Sequence, residues 1–282
     1  MDFAALGMDG STLVIWLSVV LVAGLAAGIL AGLLGVGGGI IIVPVLYQLF
    51  TTMNIDPDVR MHVAVATSLS TIIVTSLSSV RSHHKRGAVD FPLLRSWAPS
   101  VFVGVVLGTI LAGFLKGWVL TAIFATVALI VALRMVFRRE GNAVFNDFPN
   151  QPVKIGLGGV VGLISTMMGI GGGTLSVPFL TFFGYDMRRA VGTAAAMGFV
   201  IAVPGTIGYI ILGWGEPNLP PLSLGYVNVL CTALLIPCTV IAAPWGARIA
   251  HAIPQRALQL CFAFFLFITS AKMIWDLIQL LS

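Results

Sequence analysis

Long apolar runs, separated by short polar segments, make up most of this 282-residue chain. Many of the runs approach the ~20 residues that a helix needs to cross a bilayer. Two runs, 40–50 and 174–183, are too short to cross a hydrocarbon core of ~30 Å. The pattern predicts ten helical elements with these bounds: 12–34, 40–50, 62–82, 92–114, 118–137, 153–168, 174–183, 189–212, 222–250 and 256–281.

Each short run follows a glycine-rich phrase, GVGGG at 35–39 and GIGGG at 169–173. Pro44 and Pro178 follow these phrases at the same distance. Glycine and internal proline both destabilise helices, so their recurrence in apolar sequence needs a physical reason. We predict that each phrase breaks a helix inside the membrane and starts a half-length helix.

The two halves of the chain repeat one another. The glycine phrases and their prolines lie 134 positions apart, and Thr67 of AVATS lies 126 positions before Thr193 of AVGTA. Five further pairs lie 138 positions apart: Gly87 and Gly225, Pro99 and Pro237, Gly108 and Gly246, Arg134 and Lys272, Met135 and Met273. An odd number of elements in each copy reverses the second copy. We therefore predict two inverted repeats, 1–138 and 153–282, joined by a cytoplasmic linker at 139–152.

The composition indicates that this chain is embedded in a lipid bilayer. It is 58% apolar and 9% charged, with a mean hydropathy of +1.04, which excludes a soluble domain and favours an all-α polytopic membrane protein. The net charge of +5 reflects topology, and we expect no nucleic-acid partner. Twelve of the fifteen Lys and Arg residues flank one set of loops: Arg81, Lys85, Arg86, Arg95, Arg134, Arg138, Arg139, Lys154, Arg188, Arg189, Arg248 and Arg256. We expect this side to be cytoplasmic in a bacterial inner membrane, with both termini external.

The glycine breaks are the candidate binding site. A helix that starts inside the membrane exposes unpaired backbone N–H groups and a partial positive charge, which suits an anion. We predict these substrate-binding residues: Gly37, Gly38, Gly39, Ile40, Thr67, Ser68, Gly171, Gly172, Gly173, Thr174 and Thr193. Two alternatives stay open, because glycines also permit tight helix packing and Ser or Thr hydroxyls also bond within or between helices. A phosphate-binding loop is disfavoured, because neither phrase continues as Gly-Lys-Ser/Thr within a βαβ unit.

The positions of the ionisable residues argue against a cation as substrate and against enzyme activity. No Asp or Glu lies in the middle of an apolar run, which argues against a metal-cation substrate. The chain has no nucleophile–base pattern and no metal-ligand motif, so we expect no enzyme activity, no cofactor and no metal. Arg134 and Lys272 either extend to the lipid headgroups or attract an anion at each mouth. A proton is a candidate coupling ion, although the sequence offers no evident carrier.

The segments GLLGVGGGIIIVPVL and MMGIGGGTLSVPFL, with AVATS and AVGTA, resemble the TauE/SafE sulfite exporter family over nearly the whole chain. The family motif falls on Gly35, Gly37, Gly38, Gly39, Pro44, Gly169, Gly171, Gly172, Gly173 and Pro178. The resemblance implies export of sulfite or of a small organosulfonate such as sulfoacetate from the bacterial cytoplasm.

Our leading hypothesis is a secondary transporter that works by alternating access, with the anion held near the membrane midplane and the bilayer as its environment. A passive anion channel and a non-transporting scaffold or assembly factor are the alternatives.

Overall fold

Helices account for nearly all of the described chain. The structure, a computed structural model, describes residues 10–34, 38–137, 148, 150–249 and 255–281. Within these ranges the elements follow one another as α1 (Gly10–Leu34), α2 (Gly39–Thr52), α3 (Pro57–Lys85), α4 (Phe91–Phe114), α5 (Gly117–Phe137), α6 (Gln151–Met168), α7 (Gly173–Phe182), α8 (Met187–Leu212), β1 (Ser223–Leu224), β2 (Val227–Asn228), α9 (Val229–Ile249) and α10 (Gln255–Leu281).

The predicted all-α, polytopic membrane fold is confirmed. In the part of the chain that the structure describes, five segments are long and apolar enough to cross a bilayer, namely α3, α4, α5, α8 and the part of α10 from Leu260 to Leu280. The helices after the glycine phrases are short, as predicted, with 14 residues in α2 and 10 in α7. At ~1.5 Å per residue they reach only ~21 Å and ~15 Å, so neither crosses the membrane alone.

Two predicted boundaries were wrong. α3 begins at Pro57 instead of 62, because the Asp56 side chain caps the helix and proline suits its first turn. α9 begins at Val229 instead of 222, because the strands β1 and β2 form a hairpin ahead of it. The hairpin turns at Gly225, whose φ of +54° favours glycine. Hydropathy alone does not separate such a short buried hairpin from the start of a helix.

Two helix crossings depend on close backbone approach. α1 packs along α9, where a Cβ at Gly28 would lie 2.6 Å from the Thr239 carbonyl oxygen. α4 packs along α6, where a Cβ at Gly162 would overlap the Val101 carbonyl oxygen. The two contacts occupy equivalent repeat positions, since Gly28 and Gly162 differ by 134 and Val101 and Thr239 by 138. Close approach increases van der Waals contact, the main source of helix association in lipid.

The middle of the molecule is the crossing of α3 with α8. Every residue from 61 to 72 of α3 is buried, including a run of small and hydroxyl side chains. The two helices run antiparallel, as three neighbour pairs along their length indicate: Ala88 with Gly192, Ser76 with Gly198 and Leu69 with Gly205. α5 and α10 also run antiparallel, because Arg256 near the start of α10 donates to the Met135 and Val136 carbonyls at the end of α5.

A pair of glycines in α6 tests the close crossing. We expect Gly162→Ala to lower stability by about 1–3 kcal/mol, because its Cβ would overlap the α4 backbone. Gly156 lies in the same helix, and a Cβ there would have nothing within 4 Å, so Gly156→Ala should leave stability unchanged or slightly higher. Thermal unfolding of the purified protein in detergent measures both changes. Equal midpoints for the two variants would contradict the role of Gly162.

Candidate functional site

The two glycine phrases meet beside α3. Gly39 opens α2 and Gly169 follows α6, and a Cβ at Gly39 would lie 2.5 Å from the Gly169 carbonyl oxygen. The same position is 2.9 Å from the Ser68 Oγ of α3. The fold therefore brings together Gly39 and Gly169, one residue from each break, although they lie 130 positions apart in the sequence. Gly38 and Gly39 belong to this meeting point, whereas the predicted Gly37 and the motif residue Gly35 lie outside the described residues.

The contacts with α3 fix the distance between the two half-helix starts. The start of α2 lies beside Ser68 and Ile72. The start of α7 lies near Ser76, because a Cβ at Gly198 would be 2.5 Å from the Ser76 Oγ and 3.5 Å from the Gly172 nitrogen. Ser76 lies four and eight residues beyond Ile72 and Ser68. At ~1.5 Å per residue, the two starts are ~6–12 Å apart along the α3 axis.

The half-helices start head to head. α2 turns directly into α3 and α7 turns directly into α8, so each runs antiparallel to the long helix that follows it. Because α3 and α8 are themselves antiparallel, α2 and α7 leave the breaks in opposite directions. Their amino-terminal ends therefore face each other across the short interval at the centre of the fold, each contributing a partial positive charge.

Backbone N–H groups at both starts have no partner. In α7 the first backbone bond runs from the Ser176 N–H to the Gly172 carbonyl, at 2.8 Å. Among the described residues, no hydrogen bond is made by the preceding N–H groups, those of Gly171, Gly172, Gly173, Thr174 and Leu175. In α2 the N–H groups of Gly39 and Ile40 are unpaired in the same sense. The first N–H groups of any helix lack partners within that helix, and here they belong mostly to buried residues, so they are available to bind a ligand or water.

Buried hydroxyl groups surround the second break. Thr174, a predicted site residue, lies in the first turn of α7 with an unpaired Oγ1. Five other hydroxyls share this state within the described chain; Ser270 lies in α10, and the four that the sequence interpretation missed near this break are those of Ser165, Thr166, Ser176 and Thr206. The first two end α6, Ser176 follows Thr174, and Thr206 belongs to α8. Polar positions beside a break were the available signal, but a sequence does not tell which hydroxyls bond their own helix.

Thr67 and Thr193 each bind the start of a helix from the opposite half. The Thr67 Oγ1 accepts a hydrogen bond from the Asn228 backbone N–H at 3.0 Å, and the Thr193 Oγ1 accepts one from the Asp90 N–H at 3.0 Å. Asn228 and Asp90 cap α9 and α4 through the N–H groups of Cys231 and Leu93. The hydroxyls thus join helices, one of the open alternatives. Binding of substrate by these threonines stays a prediction.

Ser68 links the central helix to the second break. Its Oγ donates a hydrogen bond of 2.7 Å to the Gly169 carbonyl oxygen. This bond holds the end of α6 against α3 at the level where α2 begins. In this conformation the Ser68 hydroxyl already donates its proton to the Gly169 carbonyl oxygen. Donation to a substrate, as predicted for Ser68, would require this hydrogen bond to break.

Charged groups lie away from the breaks. Arg189 at the start of α8 pairs with Asp90 at 2.9 Å, and 59% of the Arg189 side chain is exposed. Lys272 pairs with Asp276 at 3.0 Å, and Asp276 also accepts a bond from Gln48. Exposed pairs of this kind contribute about 0–1 kcal/mol each. At the breaks themselves, the donors in the described structure are neutral N–H and O–H groups.

Comparison with known proteins gives a consistent result. The family model described as Sulfite exporter TauE/SafE matches residues 20–273. A probable membrane transporter protein of Haemophilus influenzae is 32% identical over 90% of this chain and 96% of its own length. Relatives with the same description are the Bacillus subtilis protein YunE, 26% identical over 92% of this chain and 97% of its own, and a Methanocaldococcus jannaschii protein, 24% identical over 86% and 90%. No solved structure matches the chain.

Substitution of Thr193 tests its bond to the start of α4. Thr193→Val removes the acceptor of the Asp90 N–H and should lower stability by about 1–3 kcal/mol. Thr193→Ser retains the hydroxyl and should restore most of that loss. Thermal unfolding measures both effects, and an unchanged midpoint in the valine variant would contradict the structural role. Anion affinity, measured on the same samples, tests the separate prediction that Thr193 contacts substrate.

Proposed function

The chain belongs to the TauE/SafE sulfite exporter family, and we propose that it exports a small sulfur-containing anion, sulfite or an organosulfonate such as sulfoacetate. Its curated relatives are described as probable membrane transporter proteins, which supports a transport role. The proposed activity moves the anion across the bilayer without chemical conversion.

One observation carries this proposal. Two half-length helices start head to head with unpaired, buried N–H groups, and unpaired hydroxyls surround the second start. Both kinds of group donate hydrogen bonds, and both helix ends favour negative charge. Sulfite and sulfonate groups offer several oxygens that accept hydrogen bonds. An anion placed between the starts would therefore satisfy groups that the protein leaves unpaired.

The proposed architecture is a pair of inverted repeats, 1–138 and 153–282, joined by 139–152. Exchange of the two halves maps the α1–α9 crossing onto the α6–α4 crossing, with the same glycine positions in contact. The equivalent helices α3 and α8 run antiparallel, as do α5 and α10. A twofold axis in the membrane plane makes equivalent helices run antiparallel, so these contacts support inverted repeats.

We propose an inner-membrane location with both termini external. The loops after α3 and α7 and the ends of α5 and α9 carry most of the basic residues, which favours the cytoplasm for that side. Substrate would then enter between the halves from the cytoplasm. Rocking of one half against the other would open the central interval to each side in turn. A proton is a candidate coupling ion, and an uncoupled exporter is equally compatible with the neutral site.

Two other functions make different predictions. A passive anion channel would use the same donors but would give single-channel current without saturable counterflow. A scaffold or assembly factor would give no stabilisation by anions and would tolerate blocked breaks. The unpaired donors at the centre favour transport over the scaffold, because a purely structural core would pair them.

Blocking the second half-helix start tests the site. In Gly172→Ala, the Cβ would lie 2.7 Å from the Ala194 carbonyl oxygen and 2.8 Å from the Gly198 nitrogen. We expect at least a tenfold loss of sulfite or organosulfonate counterflow in proteoliposomes, because the donors would shift. Gly156→Ala is the control, since its environment is open. If a folded Gly172→Ala protein transports normally, the breaks are not the site.

Membrane voltage tests the coupling. An uncoupled exporter of a monoanion gains about 2.3 kcal/mol per 100 mV from an inside-negative potential, which corresponds to an equilibrium ratio of about 50. We expect a potassium diffusion potential to accelerate efflux from proteoliposomes. A proton gradient should have little effect at fixed voltage. Efflux that responds to the proton gradient and ignores voltage would instead indicate electroneutral proton coupling.

A further inference from the structure

The two glycine breaks are chemically unequal. At the second break, Ser165 and Thr166 end α6, and Thr174 and Ser176 lie at the start of α7. All four are at least 95% buried, and within the described residues none of their hydroxyl oxygens forms a hydrogen bond. An unpaired buried hydroxyl destabilises the folded protein, so four together on the two sides of one break indicate a bound partner.

The first break lacks every one of these hydroxyls. The repeat-equivalent residues, 134 positions earlier, are Ala31, Gly32, Ile40 and Ile42. Ile40 and Ile42 are fully or almost fully buried in the first turn of α2. The repeats therefore keep the same backbone break while their side chains differ in kind, hydroxyl in one half and aliphatic in the other.

The central helix α3 shows the same division. At the start of α2 it contributes the Ile72 Cδ1, 2.7 Å from a Cβ at Gly39, and the Ser68 Oγ, whose proton is already donated to the Gly169 carbonyl oxygen. Near the start of α7 it contributes a hydroxyl, that of Ser76, beside Gly198 and Gly172. Over the ~6–12 Å between the two starts, α3 therefore contributes an aliphatic group and an already bonded hydroxyl at the first start, and the Ser76 hydroxyl at the second.

We propose that the two breaks have separate roles, in which the second holds the oxyanion head of the substrate and the first holds an apolar substituent. This inference rests on the proposed function and names its substrate class, a short-chain alkylsulfonate with a single negative charge. The head would accept bonds from the N–H groups of residues 171–175 and from the hydroxyls of Thr174 and Ser176. The alkyl chain would lie against Ile40, Ile42 and Ile72.

The charge of the substrate follows from the neutral donors. Taking an ion out of water carries a desolvation cost that grows steeply with its charge, and a second charge needs a cationic partner to offset it. From 155 to 185 and from 190 to 215, which include α7 and most of α6 and α8, the chain has no charged residue. Dianions such as sulfate should therefore bind less tightly than a sulfonate monoanion, and among the organosulfonates of the proposed function this disfavours those with a second charge, such as sulfoacetate, relative to simple alkylsulfonates.

An affinity series on the wild-type protein tests the proposal without any variant. Isothermal titration at constant ionic strength would compare methanesulfonate, ethanesulfonate, propanesulfonate, sulfite and sulfate. We expect affinity to rise about fourfold for each added methylene until the interval is filled. Ethanesulfonate should bind at least tenfold more tightly than sulfate. Affinity that is equal along the alkyl series, or greatest for sulfate, would overturn the inference.

Matched variants assign the two roles. Thr174→Val with Ser176→Ala should weaken every anion at least tenfold, because the head loses two donors. Ser270→Ala is the control, since Ser270 in α10 is equally buried and its oxygen is also unpaired in the described structure. Ile40→Thr introduces at the first break the hydroxyl that Thr174 provides at the second. This variant should reduce the preference for ethanesulfonate over sulfite. Unchanged selectivity in folded Ile40→Thr protein would count against the apolar role of the first break.

The outcomes separate this inference from the proposed function. If inorganic and organic anions bind without preference for an alkyl chain, and Gly172→Ala abolishes transport, the proposed function stands and the division of roles fails. If no anion in the series binds and none is transported, both fail. Hydroxyls occupied only by water would give no loss of affinity in the Thr174 and Ser176 variant, which also overturns the inference.

Discussion

The need to pair backbone polar groups inside hydrocarbon governs this structure. An unpaired N–H or C=O group in lipid costs several kcal/mol, which is why the chain is helical almost throughout. Among the described residues, the glycine breaks interrupt helices inside the fold, the first against α3 and the end of α6 and the second against α3 and α8. Unpaired groups are tolerated there because protein, rather than lipid, surrounds them. Within the described residues, most of the buried hydroxyls that lack a hydrogen bond lie at one central place.

Close packing around the two breaks depends on small residues and on contacts between helices of opposite halves. α1 and α6 each pack along the fourth helix of the opposite half, and glycines let the backbones approach. Thr67 and Thr193 add bonds between halves at the starts of α9 and α4. The two halves are therefore interlocked by helix packing and by these two bonds.

Most of the helix pattern was predictable, because helix length in a membrane follows directly from apolar run length. The breaks were also predictable, since paired GGG phrases have few uses within a lipid-embedded chain. The hairpin before α9 was missed, because apolar residues such as Leu222 and Tyr226 are as compatible with the start of an apolar helix as with a hairpin. The hydroxyls of Ser165 and Ser176 were missed for another reason. Their importance lies in the absence of a bonding partner, which only three-dimensional contacts reveal.

The interlocked order of helices has a consequence for synthesis. α1 ends at Leu34, but its packing partner α9 begins only at Val229. At a translation rate of roughly 5–20 residues per second, about 10–40 seconds pass before the partner exists. During that time the glycine-rich face of α1 has lipid or a membrane-insertion factor as its neighbour. Although α1 is made well before α9, it therefore reaches its final contacts only after most of the chain has been made.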